Sequence, residues 1–181
     1  MIDFLQLWQA HLIPGHGLDI GAGDGEISLW LAEHGFAVDA LEPEQRNLQK
    51  LRLLFEPLPI RLHPINVLDF NIPAEHYSLI IASAVLHFID AKQLPLLSDR
   101  LVKGLIPGGL LFAAVFTDDD PSALAADDLG PDRILHYFKP LEMLKLFPSL
   151  DVLFYDESRR VAPDSSFGFR AGATLVARRA P

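Results

Sequence analysis

Apolar residues along this chain fall into alternating short runs and helical stripes. The opening "MIDFLQLWQAHL" places Ile2, Leu5, Trp8 and Leu12 on one side of a short amphipathic helix. "GLDIGAG" then reads as a buried strand, and "EISLWLAEHG" as a helix closed by Gly35. "FAVDALE" is a second strand, "PEQRNLQKLRLLF" a helix with Pro43 at its first position, and "IRLHPINVLDF" a third strand with its following loop. "YSLIIASAVL" has the continuous apolar character of a central strand buried on both faces. "DAKQLPLLSDRLVKGL" reads as a helix capped by Asp90, its start made less regular by Pro95, and "GGLLFAAVF" as a fifth strand. After Phe116 the rhythm changes. An acidic loop leads to a helix at "KPLEMLKLF", then to strands at "DVLFYDE" and "GATLVARR", joined by a loop too long for a tight turn.

Strand–helix alternation predicts an α/β fold: a doubly wound, mostly parallel sheet with helices on both faces, here extended by a C-terminal antiparallel strand pair. The 181 residues suit one domain, with an N-terminal helix over 1–14, a first half over 15–116 and a second half over 117–181. Ligands of such sheets bind beyond the carboxyl ends of the strands, near the point where strand order reverses. That is where Gly21, Gly23 and Gly25 stand, at the junction of the first strand and its helix. Glycine there permits positive φ and close approach to backbone, and the helix start adds free N–H groups. "DIGAGDG" is therefore a candidate loop for a nucleotide-type cofactor, against the plainer alternative of a tight turn whose glycines serve packing. A dinucleotide fingerprint would place its third glycine where Glu26 stands.

Composition narrows the picture. There is no cysteine, which removes disulfides, thiolate metal sites and cysteine nucleophiles and suits the cytoplasm. The seven histidines are scattered without ligand spacing, so no metal is expected. A net charge of −9 argues against a nucleic-acid or anionic-membrane surface. No apolar run is long enough to span a bilayer, and the early Asp3 without a basic leader argues against a signal peptide. The charge is uneven: "TDDDPSALAADDLGPD" carries six aspartates and no base, whereas from Ser158 onward there are five arginines and one acid.

The G-x-G-x-G spacing, with Asp19 two residues before Gly21, resembles motif I of the class I S-adenosylmethionine (SAM) methyltransferases. "GLDIGAGDGEISLWLAEHGFAVDALEP", "AVLHFIDAKQLP", "YFKPLEML" and "ATLVARR" together resemble the tellurite-resistance methyltransferase (TehB) family, from about Leu12 to Arg179. Departures are Gly104-Leu105-Ile106 before Pro107, where a lysine often precedes the proline, and Glu42, where many relatives carry aspartate.

The resemblance implies SAM as cofactor, S-adenosylhomocysteine as product, and a cofactor site of Asp19, Gly21, Ala22, Gly23 and Gly25. To these it adds Glu42 for the ribose hydroxyls, Asp69 for the adenine amino group with Leu68 or Phe70 N–H at the ring, and Ser83, with Ala82 and Leu86, facing the methyl donor. Plainer alternatives are a surface acid before a helix for Glu42 and a turn aspartate for Asp69. It also implies a basic cluster at the mouth of the site. Arg160, with Arg159 and Arg170, would orient an anionic acceptor; solvated loop arginines are the alternative. His87, just past the fourth strand, is a candidate to reach the substrate or to pack at a helix start. Tyr137 and Phe138 would wall the pocket or fill the core. The acidic loop 117–132 reads as a lid or a solvated loop. The expected acceptor is a small molecule, a soft anion such as selenite or tellurite or a thiol. A protein or quinone-like acceptor, and a non-catalytic SAM-binding module, are the alternatives.

Overall fold

A computed structural model describes residues 1–123, 136–162 and 168–181. Seven strands form one sheet: β1 (His16–Ile20), β2 (Ala37–Leu41), β3 (Ile60–His63), β4 (Tyr77–Ser83), β5 (Leu105–Phe116), β6 (Leu150–Val161) and β7 (Phe169–Arg179). Their order is β3-β2-β1-β4-β5-β7-β6. Pairings from β3 through to β5 are parallel, while β7 runs antiparallel to both β5 and β6. Strand order reverses between β1 and β4, so the crevice of a doubly wound sheet opens beside the Gly21–Gly25 loop. The ends of β5 and β6 and the start of β7 face the same way as that crevice, because β7 is reversed.

Side-chain alternation divides the core between the two faces of the sheet. Leu18, Ile20, Ile80, Leu111, Ala113 and Leu175 face α4 (Leu94–Gly104) and α5 (Glu142–Leu146), whose Leu97, Leu101 and Met143 are fully buried. Val38, Ala40, Leu79, Ile81, Phe112 and Val176 face α1 (Ile2–Trp8), α2 (Glu26–Glu33) and α3 (Gln45–Phe55). On that side Leu5 is fully buried, and Phe4 and Trp8 pack edge-on against Phe112. Each such buried leucine is worth ~1.5–3 kcal/mol against exposure.

Several boundaries differ from expectation. Helix α3 starts at Gln45 behind the extended Glu44, so Pro43 precedes the helix rather than opening it. Asp90 does not cap α4: its carboxylate accepts from Lys92 N–H at 2.8 Å in a separate turn, and α4 begins at Leu94 with Pro95 in its first turn, where a missing N–H costs nothing. Strand β5 begins at Leu105, carrying Pro107 and the positive-φ Gly108 inside it, with a register shift opposite Tyr77 and Leu79. The last two strands are longer than their apolar cores. Arg159 and Arg160 lie on β6 and Arg170 on β7, with Arg160 directly opposite Arg170. Gly35 closes α2 with φ +84°, as expected.

Candidate functional site

The loop after β1 is built from backbone hydrogen bonds to the end of β2. Gly21 N–H and Ala22 N–H both donate to Leu41 C=O, at 2.9 and 2.8 Å. Gly23 N–H donates to Glu42 Oε2 at 2.7 Å, while Glu42 Oε1 accepts from Glu44 N–H at 2.8 Å. The Glu42 carboxylate, 3% exposed, thus bridges the glycine loop and the approach to α3.

The glycines have different jobs. A Cβ on Gly25 (φ +89°) would lie 2.9 Å from Leu51 and Phe55 of α3, so its bareness serves packing. A Cβ on Gly23 (φ +55°) would meet nothing nearer than Gly21 C=O at 3.9 Å, which leaves open surface beside its backbone. A Cβ on Gly21 (φ +74°) would crowd Val85, just beyond β4, at 3.1 Å.

Behind the loop lies Asp19, 1% exposed. Its Oδ2 accepts from Ser28 Oγ at 2.6 Å, but Oδ1 is buried with no hydrogen-bond partner. Burial, which the Ser28 bond only partly offsets, pushes the carboxyl up to about 6. A buried acceptor without a donor is a costly feature, and it lies directly beneath the loop.

Beyond β3, Asn66 organises the next turn. Its Oδ1 accepts from Leu68 N–H at 2.9 Å and its carbonyl from Asp69 and Phe70 N–H at 3.0 and 3.1 Å, so both backbone donors proposed for an adenine ring are already engaged. Asp69 is exposed. The Arg100 guanidinium of α4 bonds the carbonyls of Leu68, at 2.9 Å, and of Phe70. Neither Asn66 nor Arg100 was a sequence candidate; on the amphipathic α4 nothing in the sequence sets Arg100 apart from its charged neighbours Asp99 and Lys103. Ser83 ends β4 half-buried, whereas Ala82 and Leu86 are fully buried in the core rather than lining a ligand surface.

On the other side of the crevice, His87 is 1% exposed, with its ring 4.5 Å from Phe88 and 4.6 Å from Phe116. Its Nδ1 accepts from Phe116 N–H at 3.4 Å. Burial, with help from the Arg170 charge, lowers its pKa to about 4, so the ring is neutral at physiological pH. Phe138 is fully buried in the core, and Tyr137 donates its hydroxyl to Ser122 Oγ at 3.0 Å. Phe138 also bridges Thr117 beside the end of β5. Of the acidic loop, residues 124–132 lie outside the described residues; the rest turns at Pro121–Ala123.

Each of the C-terminal arginines has a carboxylate. Arg159 Nη2 lies 3.7 Å from Asp119 and Arg160 Nη2 3.3 Å from Asp156. Arg170 Nε lies 3.3 Å from the fully buried Asp120 carboxylate. Arg178 and Arg179 pair with Asp151 and Glu75 at 4.0 and 2.8 Å. The topology therefore brings Arg159, Arg160 and Arg170 to the crevice end of the sheet, but each arrives with an acid beside it. Two arginines directly opposite on antiparallel strands, as Arg160 and Arg170 are, would repel without such partners.

Residues 8–156 match the family model described as "Tellurite resistance protein TehB". The chain belongs to the TehB family. A curated relative from Haemophilus influenzae, a probable S-adenosyl-L-methionine-dependent methyltransferase TehB, is 26% identical over 139 residues, 73% of this chain and 48% of its own. This chain spans about half the length of that relative. The crystal structure of TehB from Haemophilus influenzae superposes with a TM-score of 0.81 at 21% identity, covering 99% of this chain and 62% of the other. The Burkholderia thailandensis 1,6-didemethyltoxoflavin-N1-methyltransferase, solved with S-adenosylhomocysteine, superposes with a TM-score of 0.73 at 20% identity, covering 97% of this chain and 76% of the other.

The TehB-family loop here fits the cofactor its sequence implies. Gly23 presents bare backbone, Glu42 a carboxylate with accepting capacity beyond its two backbone donors, and Asp19 an oxygen that lacks a donor. Among the described residues no cluster of histidines and acids could hold a metal ion, and no helix is long and apolar enough to cross a membrane.

Proposed function

We propose that this TehB-family chain is a SAM-dependent methyltransferase acting in the cytoplasm on a small-molecule acceptor, and that a neutral soft nucleophile, a thiol, suits it better than an oxyanion. The observation that carries the cofactor reading is the open backbone at Gly23, bordered by Glu42 and the unpartnered Asp19 Oδ1. Glu42 would hold the ribose hydroxyls while keeping the loop in place, Ser83 would border the methyl-donor pocket, and Asp69 with the Leu68 turn would meet the adenine.

When bound, SAM supplies an activated methyl group on a sulfonium; the acceptor sulfur takes that methyl, its proton passes to solvent, and S-adenosylhomocysteine leaves. What remains for the protein is to orient the acceptor and exclude water. The acceptor side would comprise the ends of β5 and β6 and the start of β7. There the charges of Arg159 and Arg160 are already matched by Asp119 and Asp156, which favours an acceptor needing no free cation. In this reading those arginines guide the acceptor only after leaving their partners, and His87, buried and neutral, backs the Phe116 ring from behind. Net charge −9 supports a partner list without nucleic acid or membrane.

Calorimetric titration with SAM and S-adenosylhomocysteine tests the cofactor reading. Binding by the wild type and its loss in a folded Gly23→Val variant are expected; undiminished affinity in that variant would overturn the loop assignment. SAM consumption with 2-mercaptoethanol, selenite and tellurite then tests the acceptor, with the thiol expected to turn over fastest. Selenite or tellurite in the lead would reverse the acceptor preference, and binding without any turnover would make the chain a SAM-binding module.

A further inference from the structure

Asp118, Asp119 and Asp120 follow one another in the loop leaving β5, yet only the third turns inward. Asp118 and Asp119 are exposed, while the Asp120 side chain has no exposure at all. Burying one carboxylate of three is unfavourable unless it is fully bonded. It is: Oδ2 accepts from Ala171 N–H at 2.8 Å and lies 3.3 Å from Arg170 Nε, and Oδ1 accepts from Ser122 N–H at 3.0 Å and from the Ser122 hydroxyl. Ser122 in turn receives the Tyr137 hydroxyl. One carboxylate thus ties together the β5 loop, the start of β7 and the segment carrying Tyr137.

Loop fixation alone would need only the neutral donors of Ser122 and Ala171. The contact that requires a charge is the one to Arg170. That guanidinium is held 3.9 Å over the Phe116 ring, and Phe116 in turn flanks His87. Two residues before His87 stands Val85, in contact with the position of Gly21. The Val85–His87 segment thus has the glycine loop at one end and, at the other, Phe116 with Arg170 and Asp120 behind it.

We propose that Asp120 is a positioning residue that sets the charge preference of the acceptor: it pins Arg170 over Phe116 and cancels its charge, so that the acceptor meets a neutral wall. This rests on the methyltransferase reading above. In it, the acceptor group facing Arg170 is uncharged, and the chain disfavours an acceptor bearing a second anionic group.

The test compares two small thiols that differ in charge, 2-mercaptoethanol and mercaptoacetate, by the ratio of their kcat/KM values. Intrinsic thiol reactivity cancels when that ratio is compared between variants. Asp120→Asn keeps the shape and releases the Arg170 charge, so the mercaptoacetate-to-mercaptoethanol ratio should rise about tenfold, a difference of ~1.4 kcal/mol. The gain should shrink in high salt. SAM affinity should stay within about twofold of wild type, since the carboxylate lies outside the glycine loop. Equal losses on both thiols, with the ratio unmoved, would make Asp120 a structural staple and overturn the proposal.

Arg170→Gln supplies a second variant should Asp120→Asn fail to fold. It leaves the Ser122 and Ala171 bonds and removes the positive charge, so the ratio should fall below wild type; an unchanged ratio is again contrary. If the wild type turns over neither thiol, the same ratio is read from the Kd of each for protein saturated with S-adenosylhomocysteine. A wild type that does not bind SAM removes the methyltransferase reading and this inference with it; SAM binding with an unmoved ratio removes this inference alone.

Discussion

The two sides of the crevice are made by different physics. Around the glycine loop, the shape is set by backbone: positive φ at Gly21, Gly23 and Gly25, and N–H groups aimed at Leu41 C=O and at the Glu42 carboxylate. Those partners lie at the end of the adjacent strand, so the arrangement follows once β1 and β2 pair. On the side of β5, β6 and β7 the backbone is ordinary strand, and the character comes from side-chain ion pairs such as Arg170 with Asp120 and Arg159 with Asp119. The first side leaves an unsatisfied acceptor at Asp19, whereas the second consumes its charges internally. An uncompensated group invites a ligand; a compensated one shapes the wall against which a ligand is held.

The comparison is broken most sharply within the glycine loop. Gly25→Val should destabilise the apo protein by about 2–5 kcal/mol, because a side chain at φ +89° would also drive into Leu51 and Phe55. Gly23→Val should cost only ~1–2 kcal/mol of backbone strain and lose SAM binding instead. Denaturant unfolding of both, beside SAM titration of the second, separates the packing glycine from the ligand-facing one.

The two buried titratable groups sharpen it next, since one belongs to each side and they carry opposite signs. Asp19 is raised from 3.8 to about 6, so the folded state holds its proton more tightly, and this contribution to stability is lost as pH rises from about 4 to 6. His87 is lowered from 6.5 to about 4, so the folded state binds its proton less tightly, and stability from this group is lost as pH falls from about 6.5 to 4. Each change is on the order of 3 kcal/mol, and in the wild type they largely cancel. Unfolding free energies from pH 4 to 7 should show the cancellation lifted in variants. Relative to wild type, Asp19→Asn should gain stability with rising pH and His87→Gln should lose it. Parallel profiles for all three proteins would mean that neither group titrates as its burial requires.

Glu42→Ala should act on both cofactor affinity and the apo fold, because Glu42 holds Gly23 and Glu44 N–H before any ligand arrives. A loss of about 1–3 kcal/mol of apo stability is expected, with SAM affinity falling about ten- to a hundred-fold. Thermal unfolding and SAM titration of the same variant check this; affinity lost at unchanged apo stability would leave Glu42 with a ligand role only. The smallest effect should come from Arg160→Ala. Its pair with Asp156 is exposed, so unfolding should move by about 0.5 kcal/mol or less, and SAM affinity should not move.

Much of this protein was legible because its signals are local. Helices, strands and the glycine junction are written in hydrophobic period and turn residues within a few positions of one another, and right-handed crossovers limit the strand orders such a sheet can take. Asp19 inside β1, the loop glycines after it and Glu42 just after β2 stand at short fixed offsets from strand ends, which is why the motif I resemblance could propose them as site residues. The boundaries that moved, at Pro43, Asp90 and Pro107, are places where one residue suits either side of an element's end and packing chooses.

What the chain alone determined is therefore the sheet, its crevice and the backbone of the glycine loop, all consequences of short-range conformational preference. Which glycine packs and which faces open space was decided by α3 lying across Gly25. That His87 is a neutral core ring was decided by its burial against Phe116. The meaning of Arg170 was decided by the distant Asp120, whose carboxylate also takes the Ala171 N–H across a separation of 51 residues. In sequence a run of bases reads as net positive charge. In the folded chain charge is a property of neighbours, and only the pairing of β7 with β5 brings Asp120 to Arg170 and makes that part of the wall neutral.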